Sequence, residues 1–423
     1  MIKVLLKGPI LTQSGYGHHA RTVLRALQTK SDVYDVYIQP ITWGHTSWLW
    51  EDSDERRAID DLLKKTIAHT QSGGTFDMSI QVTIPNEWEK ITPINIGVTA
   101  GIETTKVSSK WIEKSFLMDK ILTISKHSKD VYENTVYTGR DQQGNEREYK
   151  VLKPIEYVSY PYREFEKKEL DLQLTTDFNF LAVAQLSARK NMDQLIRVFI
   201  DRFRNDENVG LIIKANTAKN SLIDRNHTLN NFKKIFSSHK PYKCKIYLLH
   251  GFLSDQEMVG LYTHPKVKAM ISTAHGEGFG LPLFEAASHA LPIAATDWSG
   301  HLDFLYMPQK QKNGKYKNKH MFGKISYTLR PVQEQAVWDG VLEKESMWAY
   351  PDDASIRMNL TKLYENLQTY KKRAKTLQKW ILKEFSEEKK YAEYTSLLEE
   401  YTLPFLQADQ EIEDLFNELA AGE

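Results

Sequence analysis

The chain has 423 residues, too many for one ordinary hydrophobic core, so two domains are expected. A hydrophobic content of 41% with 26% charged residues is that of a soluble globular protein, and 56 Lys+Arg against 55 Asp+Glu leave a formal charge of +1, which argues against a globally basic nucleic-acid binder but not against a local patch. The single cysteine, Cys244, excludes an intramolecular disulfide and a thiolate metal cluster and suits a reducing cytoplasm, and no apolar run approaches the roughly 18 residues of a membrane span.

In chain order, "MIKVLLKGPI" has too short an apolar run for a signal peptide and reads directly as a first strand, Ile2–Gly8. "HHARTVLRALQT" follows as a helix, with Val23, Leu24 and Leu27 spaced for one buried face. Further strands are expected at Tyr34–Pro40, Phe76–Val82, Ile94–Ala100 and Asp119–Ser125. A second series begins after "YPYREF", with strands at Phe178–Leu186, Val209–Asn216, Cys244–Gly251, Val267–Ala274 and Pro292–Trp298. Short β-branched runs alternating with amphipathic segments indicate parallel sheets covered by helices. Two such series indicate two doubly wound domains facing each other across a cleft, with the boundary near Tyr160–Glu164. We take residues 1–162 as the first domain, 163–385 as the second, and 386–423 as C-terminal helices and an acidic tail returning toward the first.

Several segments stand apart from this alternation. "TWGHTSWLWEDSDE" (Thr42–Glu55) concentrates Trp43, Trp48 and Trp50, whose faces either stack on a sugar or base or simply cover the core. The D-x-D at Asp52–Asp54 follows no strand and reads as a solvated loop rather than a metal site. "GRDQQGNEREYK" (Gly139–Lys150) reads as a surface hairpin. "KQKNGKYKNKH" (Lys310–His320) carries five lysines around an Asn-Gly turn, and is either a solubilising hairpin or a contact to a polyanion, with Lys315 and Lys317 as candidates.

The densest chemistry lies in "HGEGFGLPLFEA". The apolar run before it ends in small polar residues, so His275–Gly280 occupies the carboxyl end of a strand, and Pro282 suits the first turn of the helix that follows. Ligands of open α/β sheets collect at that end. Helix N-terminal amides flanked by glycines can approach a phosphate closely. Glu277 then lies in the turn, and Glu285, one turn into the helix, can accept two hydrogen bonds from a diol or can serve the helix dipole.

These residues resemble the E-x7-E signature of retaining GT-B glycosyltransferases, particularly glycosyltransferase family 4. "FLAVAQLSARKN", "LLHGFLSDQEMVGLY" and "LPIAATDWSGHLDFL" are similar to other segments of that family in the same order, and "KGPILTQSGYGHHARTVLRAL" resembles its N-terminal glycine loop and helix. The resemblance implies Glu277 at the donor sugar, Gly278, Phe279, Gly280 and Leu281 around its phosphate, Glu285 at the nucleotide ribose, and Lys190 on the leaving diphosphate, with Arg189 beside it. It implies Gly15 and Gly17 in a turn facing the donor, Tyr16 toward the acceptor, and Glu103 where relatives present an acid or histidine to the sugar; helix capping is the plain structural alternative for Glu103. The companion arginine of the family is Gln185 here. Ser125 reads as a helix cap and His127 as a surface helix residue. The resemblance further implies transfer with retention from a nucleotide sugar, UDP-glucose being the default donor, without a metal or other cofactor. The opening also resembles glycosyltransferases of tailed phages, some of which modify hydroxymethylated bases of DNA. That makes DNA one candidate acceptor beside glycans, proteins and small molecules, and a non-catalytic nucleotide-sugar-binding protein remains the alternative of a different class.

Overall fold

The computed structural model describes residues 1–44, 46–140 and 143–407. The acidic stretch Asp409–Glu423 lies outside the described residues. Two six-stranded sheets, all of whose strands run parallel, organise the chain.

The first half contains β1 (Ile2–Gly8), α1 (Gly15–Gln28), β2 (Tyr34–Pro40), α2 (Asp54–Gln71), β3 (Met78–Val82), β4 (Ile94–Val98), α3 (Ser109–Ser115), β5 (Lys120–Thr123), α4 (Lys126–Asn134), the antiparallel pair β6 (Tyr137–Arg140) and β7 (Glu146–Tyr149), and β8 (Ile155–Tyr157). Its sheet order is β2-β1-β3-β4-β5-β8, with the direction of winding reversing between β1 and β3. The core forms on one face of β1, β3 and β4, where Val4, Leu6, Met78, Ile80, Val82, Ile96 and Val98 alternate with residues of the other face. Against it α1 lays Ala20, Val23, Leu24 and Leu27, all buried.

The second half contains β9 (Phe178–Gln185), α5 (Met192–Phe203), β10 (Val209–Asn216), α6 (Leu222–His239), β11 (Lys245–Leu249), α7 (Asp255–Tyr262), β12 (Val267–Ser272), α8 (Leu281–Ser288), β13 (Ile293–Thr296) and α9 (Leu302–Leu305). The ribbon β14 (Tyr306–Lys310) and β15 (Tyr316–His320) follows, then β16 (Gly323–Ile325), and a second ribbon of β17 (Tyr327–Pro331) and β18 (Met347–Pro351). Sheet order is β11-β10-β9-β12-β13-β16, so the winding reverses between β9 and β12. Residues 298–305 and 321–325 return the chain to the sheet edge, whereas β17 and β18 were not expected from the sequence. Ribbon β17–β18 stands outside the sheet, and its strands alternate too weakly in polarity to be recognised. The lysine segment and Gly139–Lys150 both form the antiparallel pairs expected of them.

Helices α10 (Asp353–Glu365), α11 (Leu367–Glu384) and α12 (Glu387–Ser396) end the described fold. Helix α12 crosses to α1, and Tyr391, Tyr394 and Leu398 belong to the core of the first half. Lys120 ties this crossing by donating to the carbonyl of Leu397 at 2.8 Å. No helix among the described residues is long and apolar enough to cross a membrane.

Candidate active site

The loops that leave β9 and β12 diverge at the reversal point of the second sheet, and each carries part of one charged cluster. After β9 a tight turn, Ala188–Lys190, brings Arg189 and Lys190 back over the strand ends. After β12 the chain runs through His275–Gly280 before α8 begins. Lys190 Nζ lies 2.5 Å from Glu277 Oε1, and Arg189 Nη1 lies 3.0 Å from Glu277 Oε2 and 2.7 Å from the carbonyl of Gly276. From the first half, the loop after β4 places Glu103 Oε1 3.5 Å from Arg189 Nη2. Glu103 caps no helix. Two carboxylates and two cations therefore meet between the halves with no net charge.

The electrostatics of the two acids differ. Burial alone would raise the pKa of Glu277, but Lys190 and Arg189 outweigh it and hold the group at about 2. For Glu103, burial dominates, and despite Arg189 its pKa is raised, with the charge of Glu277 adding to the rise. Glu277 is thus a fixed carboxylate, and Glu103 is the acid more easily protonated.

The main chain is held as tightly as the side chains. Glu277 N–H donates to Ser299 Oγ at 2.8 Å, and Gly300 N–H donates to the Glu277 carbonyl at 2.9 Å. Ser299 adopts φ +84°, a left-handed conformation that a serine takes only when its surroundings impose it. A Cβ on Gly278 would stand 2.0 Å from the carbonyl oxygen of Ala100, so glycine is required for the two halves to touch backbone to backbone. Gly280, at φ +89°, turns the chain into α8. Its neighbour Phe279 buries its ring against Tyr160, Phe284 and Phe304.

Glu285 stands apart from this cluster. It accepts from Tyr262 OH at 2.7 Å, and burial pushes its pKa up to about 7 although that hydrogen bond opposes the rise. With Leu281, His18, Tyr162, Arg163 and Asp255 it lines a cavity of about 60 Å³. That space has room for a few waters.

Other expected site residues take different places. Ser14 caps α1 by accepting from Gly17 N–H at 2.9 Å, so "SGYG" is the first turn of a helix and not a free glycine loop. A Cβ on Gly17 would approach the Thr12 carbonyl oxygen to 2.2 Å, which accounts for that glycine by packing, while Gly15 faces open space. Tyr16 is buried, and its hydroxyl pairs with Thr99 Oγ1 at 2.8 Å and accepts from the Ala100 and Gly101 amides. Its expected contact to an acceptor is corrected: the residue ties α1 to the loop that carries Glu103. Trp43 lies against Tyr16, ring centroids 4.3 Å apart, and covers the core. Trp48 and Trp50 are exposed, and Trp50 meets Phe252 of the second half edge-on at 6.3 Å. Lys315 and Lys317 stand exposed on ribbon β14–β15, with no ion pair to either among the described residues. Gln185 is exposed at the end of β9, its amide 3.4 Å from the Thr217 carbonyl.

Ser125 does cap α4, accepting from Ser128 N–H at 3.1 Å. His127, expected at the surface, is half-buried on α4; it packs edge-on against Trp298 at 4.9 Å, and burial lowers its pKa to about 4. Asp52 and Asp54 flank Ser53, the cap of α2, and pair with Arg57 at the surface. No group of three His, Cys, Asp or Glu among the described residues could hold a metal ion.

Three features were not anticipated. Ser299 and His301 frame Glu277 from behind, and His301 accounts for its Nε2 on the Thr296 carbonyl at 2.7 Å while its buried Nδ1 has no protein partner. The signal was present in "DWSGHLDFL", a small-residue turn directly after a strand. The third is a strap. Residues 332–346, carried by β17–β18, reach the first half, where Asn86 Nδ2 donates to the Gly340 carbonyl at 2.9 Å. Thr105 N–H donates to the Met347 carbonyl at 2.8 Å, and Met347 N–H donates to Thr105 Oγ1 at 3.0 Å. On the other side Ala349 exchanges hydrogen bonds with His275, donating its N–H to the His275 carbonyl at 2.9 Å and accepting from Nδ1 at 2.6 Å. The strap thereby joins the Glu103 loop to the glycine turn of Glu277.

Residues 163–310 match the family model of glycosyl transferases group 1. The serotype-specific mannosyltransferase WbdA of Escherichia coli is 29% identical over 119 residues, 28% of this chain but only 13% of the length of that protein. Among solved structures, sucrose-phosphate synthase from Thermosynechococcus elongatus superposes with a TM-score of 0.58 at 10% identity, covering 95% of this chain and 99% of the other. HepE of Anabaena in complex with UDP-glucose gives 0.56 at 11% identity, covering 95% and 100%, and a glycosyltransferase from Rickettsia africae gives 0.56 at 12%, covering 94% and 98%. At such identities the likeness is one of fold. The chain has the two-sheet GT-B architecture, and within it residues 163–310 match the glycosyl transferases group 1 model.

Proposed function

We propose that the protein transfers a sugar from a nucleotide-sugar donor to an acceptor hydroxyl, with residues 163–385 binding the donor and residues 1–162 facing the acceptor. The observation that carries this reading is Glu277 held between Lys190 and Arg189 at the reversal point of the second sheet, inside the region that matches the group 1 model. HepE was solved with UDP-glucose, which supports that donor as the first to test.

The geometry suggests how the chain would work. A glycosyl bond breaks when negative charge can collect on the departing diphosphate while the sugar becomes oxocarbenium-like. Lys190 and Arg189 lie where they could neutralise that charge, and each would exchange its contact with Glu277 for a phosphate oxygen. Glu277, released from its cations, would then face the positively charged sugar. Glu103 approaches from the opposite half, in position to contact the sugar. Glu285 would accept from the ribose hydroxyls once Tyr262 yields its hydrogen bond. With charge handled by two cations and main-chain amides, we propose transfer without a metal ion and with retention of anomeric configuration.

For the acceptor we propose a polyanion-borne hydroxyl, and specifically a 5-hydroxymethylated pyrimidine of DNA flipped into the cleft. Ribbon β14–β15 favours it, with Lys310, Lys312, Lys315, Lys317 and Lys319 all exposed. The test is incubation with nucleotide sugars and with hydroxymethylated DNA, unmodified DNA, oligosaccharides or glycerol, read by mass spectrometry. Glu277→Ala and Lys190→Ala should lower transfer by at least about 100-fold with the fold intact. Unchanged transfer in both removes the site assignment, and sugar mass on an oligosaccharide but never on DNA removes the DNA acceptor. EDTA should leave the rate unaltered.

A further inference from the structure

The donor reading calls on Lys190 and Arg189 for the diphosphate, and Arg189 also faces Glu103 and the Gly276 carbonyl. A further basic side chain stands on β10, the strand beside β9 in the same sheet. Ile212, Lys214 and Asn216 alternate along one face of β10, and Ile212 is buried in the core formed with α7 and α8. Lys214 continues that column to the carboxyl end of the strand, where it is half-buried. Its Nζ donates to the Gly251 carbonyl at 2.5 Å, and no carboxylate lies in ion-pair range among the described residues. An ammonium carries three donors, so two remain to be satisfied.

The surroundings make this a built position rather than a stray surface lysine. Gly251 adopts φ +109°, a conformation that lets its carbonyl turn over the end of β11 toward the amine. The loop after β10 is fixed by Asp224, which accepts from Thr217 N–H and Ala218 N–H, each at 2.9 Å. Asp224 is in turn paired with His250 Nε2 at 2.8 Å, at the end of β11. Gln185 reaches the same loop from β9. Three neighbouring strand ends are thus locked together with one uncompensated cation among them. Burial without a counter-charge lowers the pKa of Lys214 to about 8, the mark of an amine placed where water does not stabilise its charge.

We propose that Lys214 is a donor-binding residue whose ammonium contacts a phosphate of the nucleoside diphosphate, adding a third cation to those of Lys190 and Arg189. Sugar transfer itself proceeds at Glu277 and Lys190; Lys214 acts on affinity for the diphosphate. This rests on the donor reading above, and the experiment separates the two. Binding of UDP, GDP, ADP and TDP, and of the matching nucleosides, is measured by calorimetry for the wild-type chain and for Lys214→Met, Lys214→Gln and Lys214→Arg. If the wild-type chain binds none of the diphosphates, the donor reading fails. If it binds one, K214M and K214Q should each weaken that diphosphate by about 10-fold or more while weakening the nucleoside less than about 2-fold, and K214R should recover most of the loss. Equal binding of the diphosphate by wild type and both neutral variants overturns the inference. So does an equal loss for nucleoside and diphosphate, because the contact would then lie on the base or ribose. Should K214M fail to fold, K214Q and K214R decide the outcome.

Discussion

Glu277 combines deep burial with a full charge, and its consequences can be measured. Replacing it with glutamine leaves Lys190 without its counter-charge and Arg189 with Glu103 alone, at a cost on the order of 3 kcal/mol. The pH dependence has a definite sign. The ordinary pKa is 4.5 and the folded value is about 2, so the ion pair's stabilisation is complete above 4.5 and is lost as pH falls toward 2. Thermal melting of wild type and Glu277→Gln should therefore differ most at neutral pH and converge in acid; a constant gap from pH 7 to pH 3 would contradict the pairing. Tyr394 behaves in the opposite manner. Its hydroxyl is buried without a protein partner, so Tyr394→Phe should match or exceed the wild-type melting temperature. The sequence resemblance singled out Glu277, Lys190 and Glu285, and the structure brings the first two together while Glu285 stands apart on Tyr262. The sequence could not be read for Ser299 or His301, whose roles depend on a left-handed turn and on contacts across chain segments. Tyr16 misled for a related reason: flanking glycines suggest an open loop, whereas Ser14 starts a helix there.

At the scale of elements, five strands of each sheet followed from their short β-branched runs, whereas β8 and β16, three residues each at a sheet edge, were too short to be recognised. Ribbon β17–β18 escaped that reading. It is short and lies outside both sheets, and its residues are chosen for what they reach rather than for a repeating pattern. Its removal from the first half should be visible: Thr105→Val loses the acceptor for Met347 N–H, and Asn86→Ala loses the contact to Gly340. Together these should increase proteolytic cleavage within 332–346 while leaving the melting temperature within a few degrees, since only strap contacts are lost. Undiminished resistance would show that the strap is held by other means.

For the whole molecule, the two halves meet through backbone at Gly278 and Ala100, through charge at Glu103 and Arg189, and through the strap. Gly278→Ala should push them apart, because the new methyl group has no flexible side chain to displace. Small-angle scattering should record a larger radius of gyration for that variant and transfer should fall. A further tie is helix α12, which follows the second half in sequence yet inserts Tyr391 and Tyr394 into the core of the first. On a ribosome, this order has a consequence. The half made first is completed last, because its core stays open until the helix encoded after the second sheet has emerged. A nascent chain stopped before Glu387 would then present a finished second sheet beside an unfinished first one, and chaperones would be expected to engage the older half rather than the newer.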